Sequence, residues 1–291
     1  MTWLVLGADG QLGQELAAAR GQQAVDAVFL GRRQCDIADA AKLRAVLDEV
    51  APGIIINAAA YTNVDKAEDD AASAWRANRD GPALLAAEAA ARGIVLVHVS
   101  TDFVFDGVKD GAYDEDDAVA PLGVYGQSKE AGEAEVRRRL DRHLIVRTGW
   151  LYGRFGHNFL KTMLRLAETR DSWGVVDDQW GTPTCSVDLA VALVAAARRA
   201  ETGEARWGTY HFGGSGEATW HALAAEILRA AQAFDDRRPV IRAITSAEYP
   251  TRARRPRNSR LDSGLFAREF GVRAVPWQVR VAETVAILLR A

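Results

Sequence analysis

Tyr125 and Lys129 stand four residues apart in YGQSK (125–129), at the start of a helical pattern. That spacing puts a phenol and an ammonium on one helix face. An isolated phenol titrates near pKa ~10, too high for ready proton exchange at neutral pH. A neighbouring ammonium stabilises phenolate and brings the group closer to that task. Lys129 is also able to bond the ribose of a nicotinamide nucleotide. Thr101 lies in STD (100–102), where a buried apolar run ends. Its hydroxyl is suited to bond a carbonyl oxygen and to orient Tyr125. Together Thr101, Tyr125 and Lys129 suit carbonyl reduction, with hydride going to carbon and a proton from Tyr125 to the developing alkoxide. A YxxxK pair is common by chance, so it counts only if the chain builds a nicotinamide site beside it.

GADGQLG (7–13) follows the first apolar run and opens the first helical pattern. Gly7 permits a tight turn, Gly10 lets the backbone approach a pyrophosphate, and Gly13 lets helix and strand pack closely. The helix start then offers unpaired N–H groups and partial positive charge to phosphate. A site for NAD usually has Asp or Glu at the end of the second strand, bonding the ribose 2′-hydroxyl. This chain has Gly31, Arg32 and Arg33 there. A guanidinium such as that of Arg32 binds a 2′-phosphate. NADPH is therefore the expected cofactor, with NADH left open. Asp36 is placed to contact the adenine without excluding NADPH. Asn57 is followed by Ala58, Ala59 and Ala60, whose small side chains either let the main chain lie against the cofactor or make a packing turn.

Short apolar runs at 3–6, 27–30, 54–57, 94–99 and 144–147 read as buried parallel strands. Helical patterns at 11–20, 40–50, 71–92 and 125–142 alternate with them. The order predicts an α/β fold, a Rossmann-type doubly wound parallel sheet. Residues 1–150 are expected to be mainly the dinucleotide-binding domain. Beyond about 150 the alternation loosens, with helices expected at 158–169, 186–200, 220–233 and 277–289. Residues 151–291 are expected to form a smaller C-terminal α/β substrate lobe, with some segments returning to the sheet.

The 291 residues carry a net charge of −3, so no global basic field recruits nucleic acid. Cys35 and Cys185 are isolated, which argues against a disulfide framework or zinc site and for a reducing compartment. No basic leader and no run of about 18 apolar residues occurs, so a cytoplasmic protein outside the membrane is expected. His98 reads as a core histidine with its hydrogen bonds satisfied. The tryptophans beyond residue 170 read as packing residues.

The motifs GADGQLG, NAAAYTNVDKAE (57–68), STDFVFDG (100–107), YGQSKEAGE (125–133), RTGWLYG (147–153), DQWGTPT (178–184) and RRPRNSRL (254–261) run through nearly the whole chain. In them the chain resembles extended short-chain dehydrogenase/reductases, and among these the dTDP-4-dehydrorhamnose reductase family. The resemblance implies reduction of the C4 ketone of a dTDP-sugar, dTDP-4-dehydro-L-rhamnose, with Thr101, Tyr125 and Lys129 as the catalytic trio. It implies that Gly10, Gln11 and Leu12 touch the cofactor pyrophosphate, Asp36 and Ile37 the adenine, and Ala58, Ala59 and Ala60 the cofactor cleft. Thr101, Asp102 and Trp150 would contact the sugar nucleotide. Asn158 and the segment from Arg255 to Asn258 would reach its diphosphate or close the pocket. Some members form a magnesium-bridged dimer. Glu15 matches one ligand position, but SVDLA (186–190) offers no glutamate partner. No structural metal is expected, Mg2+ stays open, and the chain is expected to be a monomer or homodimer. Three rival readings stand beside this one. A dehydratase of the same superfamily would carry Glu after Asp102, where this chain has Phe103. An epimerase would need a Cys/His pair. A non-catalytic dinucleotide-binding regulatory subunit would keep the fold without turnover.

Overall fold

The computed structural model describes residues 1–23, 26–234 and 236–290. Five of the sheet strands are short apolar runs: β1 (Trp3–Leu6), β2 (Ala27–Leu30), β3 (Ile54–Asn57), β4 (Val95–Thr101) and β5 (His143–Thr148). Between them lie α1 (Gln11–Gln23), α2 (Ala40–Val50), α3 (Val64–Asp69), α4 (Ala71–Trp75), α5 (Gly81–Arg92) and α6 (Val124–Arg139). Every pairing in the sheet is parallel, in the order β2-β1-β3-β4-β5 with strand Gly208–His211 beyond β5.

Side chains alternate across each strand, and each face has its own core. Trp3, Val5, Ile54, Ile56, Val97 and Val146 pack with Leu12 and Leu16 of α1 and with helix Ser186–Glu201. Leu4, Leu6, Ile55, Leu96 and Ile145 pack with residues of α2, α5 and α6 on the other face. Burial on both faces explains why the strands read as apolar runs rather than as alternating patterns.

The structure departs from the sequence expectation in four places. The helix expected at 71–92 is two helices joined by a π-turn at Arg76–Asp80. Pro82 has no N–H and clashes with the preceding turn, so the chain widens just before it. Strand Gly208–His211 was not read as a strand, because Gly208, Thr209 and His211 break its apolar run. It completes the sheet from the second half of the chain, pairing Gly208 with Leu144 and His211 with Arg147. Helix Gly264–Phe270 and the parallel pair Ser172–Val176 with Val240–Ile244 were also unread.

A further core gathers Tyr152, Leu160, Trp173, Leu223, Ile227, Trp277 and Val281 from the second half. Cys35 and Cys185 are buried free thiols. His98 is only half satisfied: Nδ1 pairs with Asn57 Nδ2 at 3.0 Å, while Nε2 has no partner among the described residues. No helix among the described residues is long and apolar enough to cross a membrane.

Candidate active site

Strand order reverses at β1 and β3, and an open parallel sheet receives ligands in the crevice outside such a switch point. The glycine turn ends β1 and the alanine run ends β3. Gly7 has φ +85°, and a methyl group on it would lie 2.6 Å from Ala59 N and 2.7 Å from Ala58 C. The two segments thus abut. A methyl on Gly13 would lie 2.6 Å from Ala8 Cα, so only glycine lets α1 close on β1. On Gly10 a methyl would meet only the Gly7 oxygen, at 3.3 Å, leaving that outer side free for a phosphate. This cradle fits a dinucleotide. The Leu12 and Ile37 side chains are buried in the core, so only their main chains can face a ligand. Arg32 is exposed and lies 3.6 Å from Asp36, which also takes a 3.0 Å bond from Arg76.

Thr101 ends β4, and Tyr125 and Lys129 lie in the first two turns of α6. The helix start has no side-chain cap of its own, because Gly123 is the capping residue. Glu68 of α3 supplies one, accepting from Val124 N at 2.8 Å. Burial pushes the Tyr125 phenol up to about 12, opposed by the Thr101 hydroxyl and reinforced by Asp102. The expectation that Lys129 lowers this phenol is therefore not met by the protein alone. Lys129 instead donates to the Val99 carbonyl at 2.7 Å. Burial brings Lys129 down to about 8, and the Glu133 carboxylate one turn further on works against that fall. The Phe103 ring packs edge-on against Tyr125, with centroids 5.8 Å apart, where a dehydratase would carry a second carboxyl group.

Asp102 is buried and accepts from Thr101 Oγ1 at 3.1 Å. Burial raises its carboxyl to about 6, against hydrogen bonding from Ser259 and Thr101. Trp150 has φ +49°, a strained backbone for an aromatic residue. It is held by stacking on Trp220 at 3.5 Å, with planes 3° apart, and by a 3.2 Å bond from Nε1 to Ser259 Oγ. Gly181 lies against its ring. Thr101, Asp102, Tyr125 and Trp150 are thus brought together by direct or shared contacts.

The remaining expected ligand residues are committed elsewhere. Asn158 caps helix Phe159–Thr169 and donates to Gln11 Oε1 at 2.7 Å and Gly153 O at 2.8 Å, so it ties the glycine turn to the following loop. Asn258 donates to Lys109 O and Gly111 O at 2.6 and 2.7 Å and accepts from Arg260. Its polar atoms are used within the chain, where they hold the loop at Lys109 and Gly111. Arg255 makes a two-pronged pair with Asp65, at 2.8 and 3.2 Å. In the same segment Arg254 and Arg257 are exposed, and neither guanidinium has a hydrogen bond or ion pair among the described residues. Glu15 bonds Arg154 at 2.8 Å and Ser186 at 3.3 Å.

Sequence reading missed Arg76, Asn78, Glu133 and Ser259. Asn78, on the π-turn, is buried and bonds Ser128 Oγ, Tyr61 O and Tyr61 N, locking α6 against the end of β3. The i, i+4 step from Lys129 to Glu133 was the one visible signal among the four.

The family model described as RmlD substrate binding domain matches residues 1–290. A dTDP-4-dehydrorhamnose reductase of Sinorhizobium fredii is 42% identical over 99% of this chain and 98% of that protein. Among solved structures, a dTDP-4-dehydrorhamnose reductase of Clostridium acetobutylicum superposes with a TM-score of 0.92 at 34% identity, covering 99% of each chain. One from Bacillus anthracis, in complex with NADP, superposes with a TM-score of 0.90 at 33% identity, covering 98% of this chain and 99% of that one. With a full-length match to sequence and fold alike, the chain belongs to the dTDP-4-dehydrorhamnose reductase family.

Proposed function

We propose that the chain reduces the C4 ketone of dTDP-4-dehydro-L-rhamnose to dTDP-L-rhamnose, with NADPH as the preferred cofactor. The observation that supports this reading is the gathering of Thr101, Tyr125 and Lys129 at the carboxyl end of β4, in a chain of this family. When bound, the reduced nicotinamide supplies a hydride to the ketone carbon. Gly7, Gly10 and Gly13 shape the pyrophosphate cradle, with the main chains of Gln11 and Leu12. Ala58, Ala59 and Ala60 line the cleft, and Asp36 with the main chain of Ile37 borders the adenine. Arg32 would meet a 2′-phosphate.

Tyr125 holds its proton at neutral pH because burial disfavours the phenolate. That suits the reductive direction, since an alkoxide is far more basic than phenolate and takes the proton readily. Charged Lys129 and the Thr101 hydroxyl then face the new phenolate. Asp102 keeps Thr101 oriented, and the clamped Trp150 walls the sugar. The free guanidinium groups of Arg254 and Arg257 are better placed by their lack of partners to take the diphosphate than Arg255 or Asn258. In this reading residues 1–150 mainly hold the dinucleotide and residues 151–291 mainly the sugar nucleotide.

The test is NADPH oxidation followed by absorbance with the keto-sugar nucleotide, on the wild type and Tyr125→Phe. Loss of the donor costs about 10²–10⁴ in turnover and leaves NADPH affinity nearly unchanged. An unchanged rate removes Tyr125 from its role. Saturable binding without oxidation by the wild type favours a regulatory subunit instead.

A further inference from the structure

The glycine turn carries an acid that the cofactor reading leaves unused. Asp9, exposed between Gly7 and Gly10, lays its carboxylate on the main chain of Gly31, at the carboxyl end of β2. A methyl group at residue 31 would overlap that carboxylate, with Oδ1 only 2.6 Å away. The Asp9 side chain thus fills the space that a strand-end side chain would occupy, and a side chain at residue 31 would have to displace it. The turn is steadied by Gln14, which donates to the Asp9 carbonyl at 3.0 Å. The carboxylate itself has no hydrogen bond or ion pair among the described residues.

The end of β2 is where a sheet of this kind receives the adenosine ribose. A carboxylate there accepts a hydrogen bond from a 2′-hydroxyl and repels a 2′-phosphate. Arg32 and Arg33 follow Gly31 in the chain, and Asp36 bonds Arg76 at 3.0 Å and lies 3.6 Å from Arg32. Asp36 is thus engaged with two guanidinium groups, while the Asp9 carboxylate has no ion pair among the described residues.

We propose that Asp9 sets the cofactor selectivity of this chain: it stands in for the missing strand-end acid, accepts the 2′-hydroxyl of an unphosphorylated dinucleotide, and weakens the hold of the arginines on a 2′-phosphate. The inference rests on the dinucleotide reading above. It adds that the preference for NADPH conferred by Arg32 is held in check from the glycine turn.

The test is equilibrium titration of the purified protein with NADP+ and with NAD+, by calorimetry, for the wild type, Asp9→Asn and Asp9→Ala. Asp9 is exposed, and melting curves check that the variants fold. Asp9→Asn raises the ratio of NADP+ to NAD+ affinity about tenfold, the scale of one charged hydrogen bond exchanged for a neutral one. Asp9→Ala raises it as well and also weakens NAD+. Added salt narrows the difference between wild type and variants for NADP+. Equal shifts for the two dinucleotides, or none, overturn the role of Asp9 while leaving the dinucleotide reading intact. If the wild type binds neither, the dinucleotide reading itself falls and the inference falls with it.

Discussion

Replacing Glu133 with Gln tests the architecture behind the proton donor. Glu133 is fully buried on α6, one turn beyond Lys129. It accepts from Arg147 Nη2 at 2.7 Å and Nε at 3.0 Å, and from Arg137 Nη1 at 2.9 Å. Arg147 is equally buried, on β5. Burial alone would raise the Glu133 carboxyl, but Arg147 chiefly, with Ser100 and Arg137, holds it at about 2. Against an ordinary 4.5, that depression corresponds to about 3 kcal/mol of stability linked to protonation. Leaving a buried guanidinium without its carboxylate costs about 3–5 kcal/mol, the same scale by a separate route.

Glu133→Gln is therefore expected to lose about 3 kcal/mol in urea unfolding at pH 7. The sign of the pH dependence follows from a folded pKa lying below the unfolded one. The contribution is complete above about pH 5 and fades as pH falls through 4.5 towards 2. The gap between wild type and variant thus narrows in acid. The same change removes the charge that favours the Lys129 ammonium, so the alkaline fall in activity moves to lower pH. Equal unfolding at pH 7, or a gap constant down to about pH 3, refutes the ion-pair account.

Two other outcomes are specific to these side chains. The Lys129 ammonium, held at about 8, is present below that pH and lost above it, so kcat/KM falls about tenfold per pH unit beyond it. A flat profile to about pH 10 in an NADPH-oxidation assay removes the requirement for charge on Lys129. Asn258→Ala leaves Lys109 O and Gly111 O without their donor, and is expected to cost about 2–3 kcal/mol in thermal or urea unfolding. A loss below about 0.5 kcal/mol shows that water replaces the amide there.

The parts legible in the sequence are those whose cause is local. Gly7, Gly10 and Gly13 sit within seven residues, and Tyr125 and Lys129 share one turn of helix, so their spacing alone states the geometry. The five strands of the first half announce themselves because both their faces are buried. Strand Gly208–His211 does not, because its buried His211 is polar and its partner at β5 is set by tertiary register. The same limit applies to side chains of the second half. Asn258 and Arg255 have the right chemistry for a diphosphate, but spacing cannot reveal that Lys109, Gly111 and Asp65 already claim them.

The proton-handling site shows how the two kinds of information join. Tyr125, Lys129 and Glu133 form a ladder along α6, fixed by a four-residue period that the sequence displays. What each rung does depends on β4 and β5, which meet α6 only in the folded chain. Val99 O receives Lys129, Thr101 and Asp102 face Tyr125, and Arg147 neutralises Glu133. Burial works against the charge on both Lys129 and Glu133. The Arg147–Glu133 pair lets one charge be kept deep in the sheet, and that charge in turn favours the ammonium beside the phenol. The helix supplies the order of the groups and the sheet decides their protonation, so a Tyr-Lys spacing placed on a helix without such strands behind it would hold the same residues and lack the chemistry.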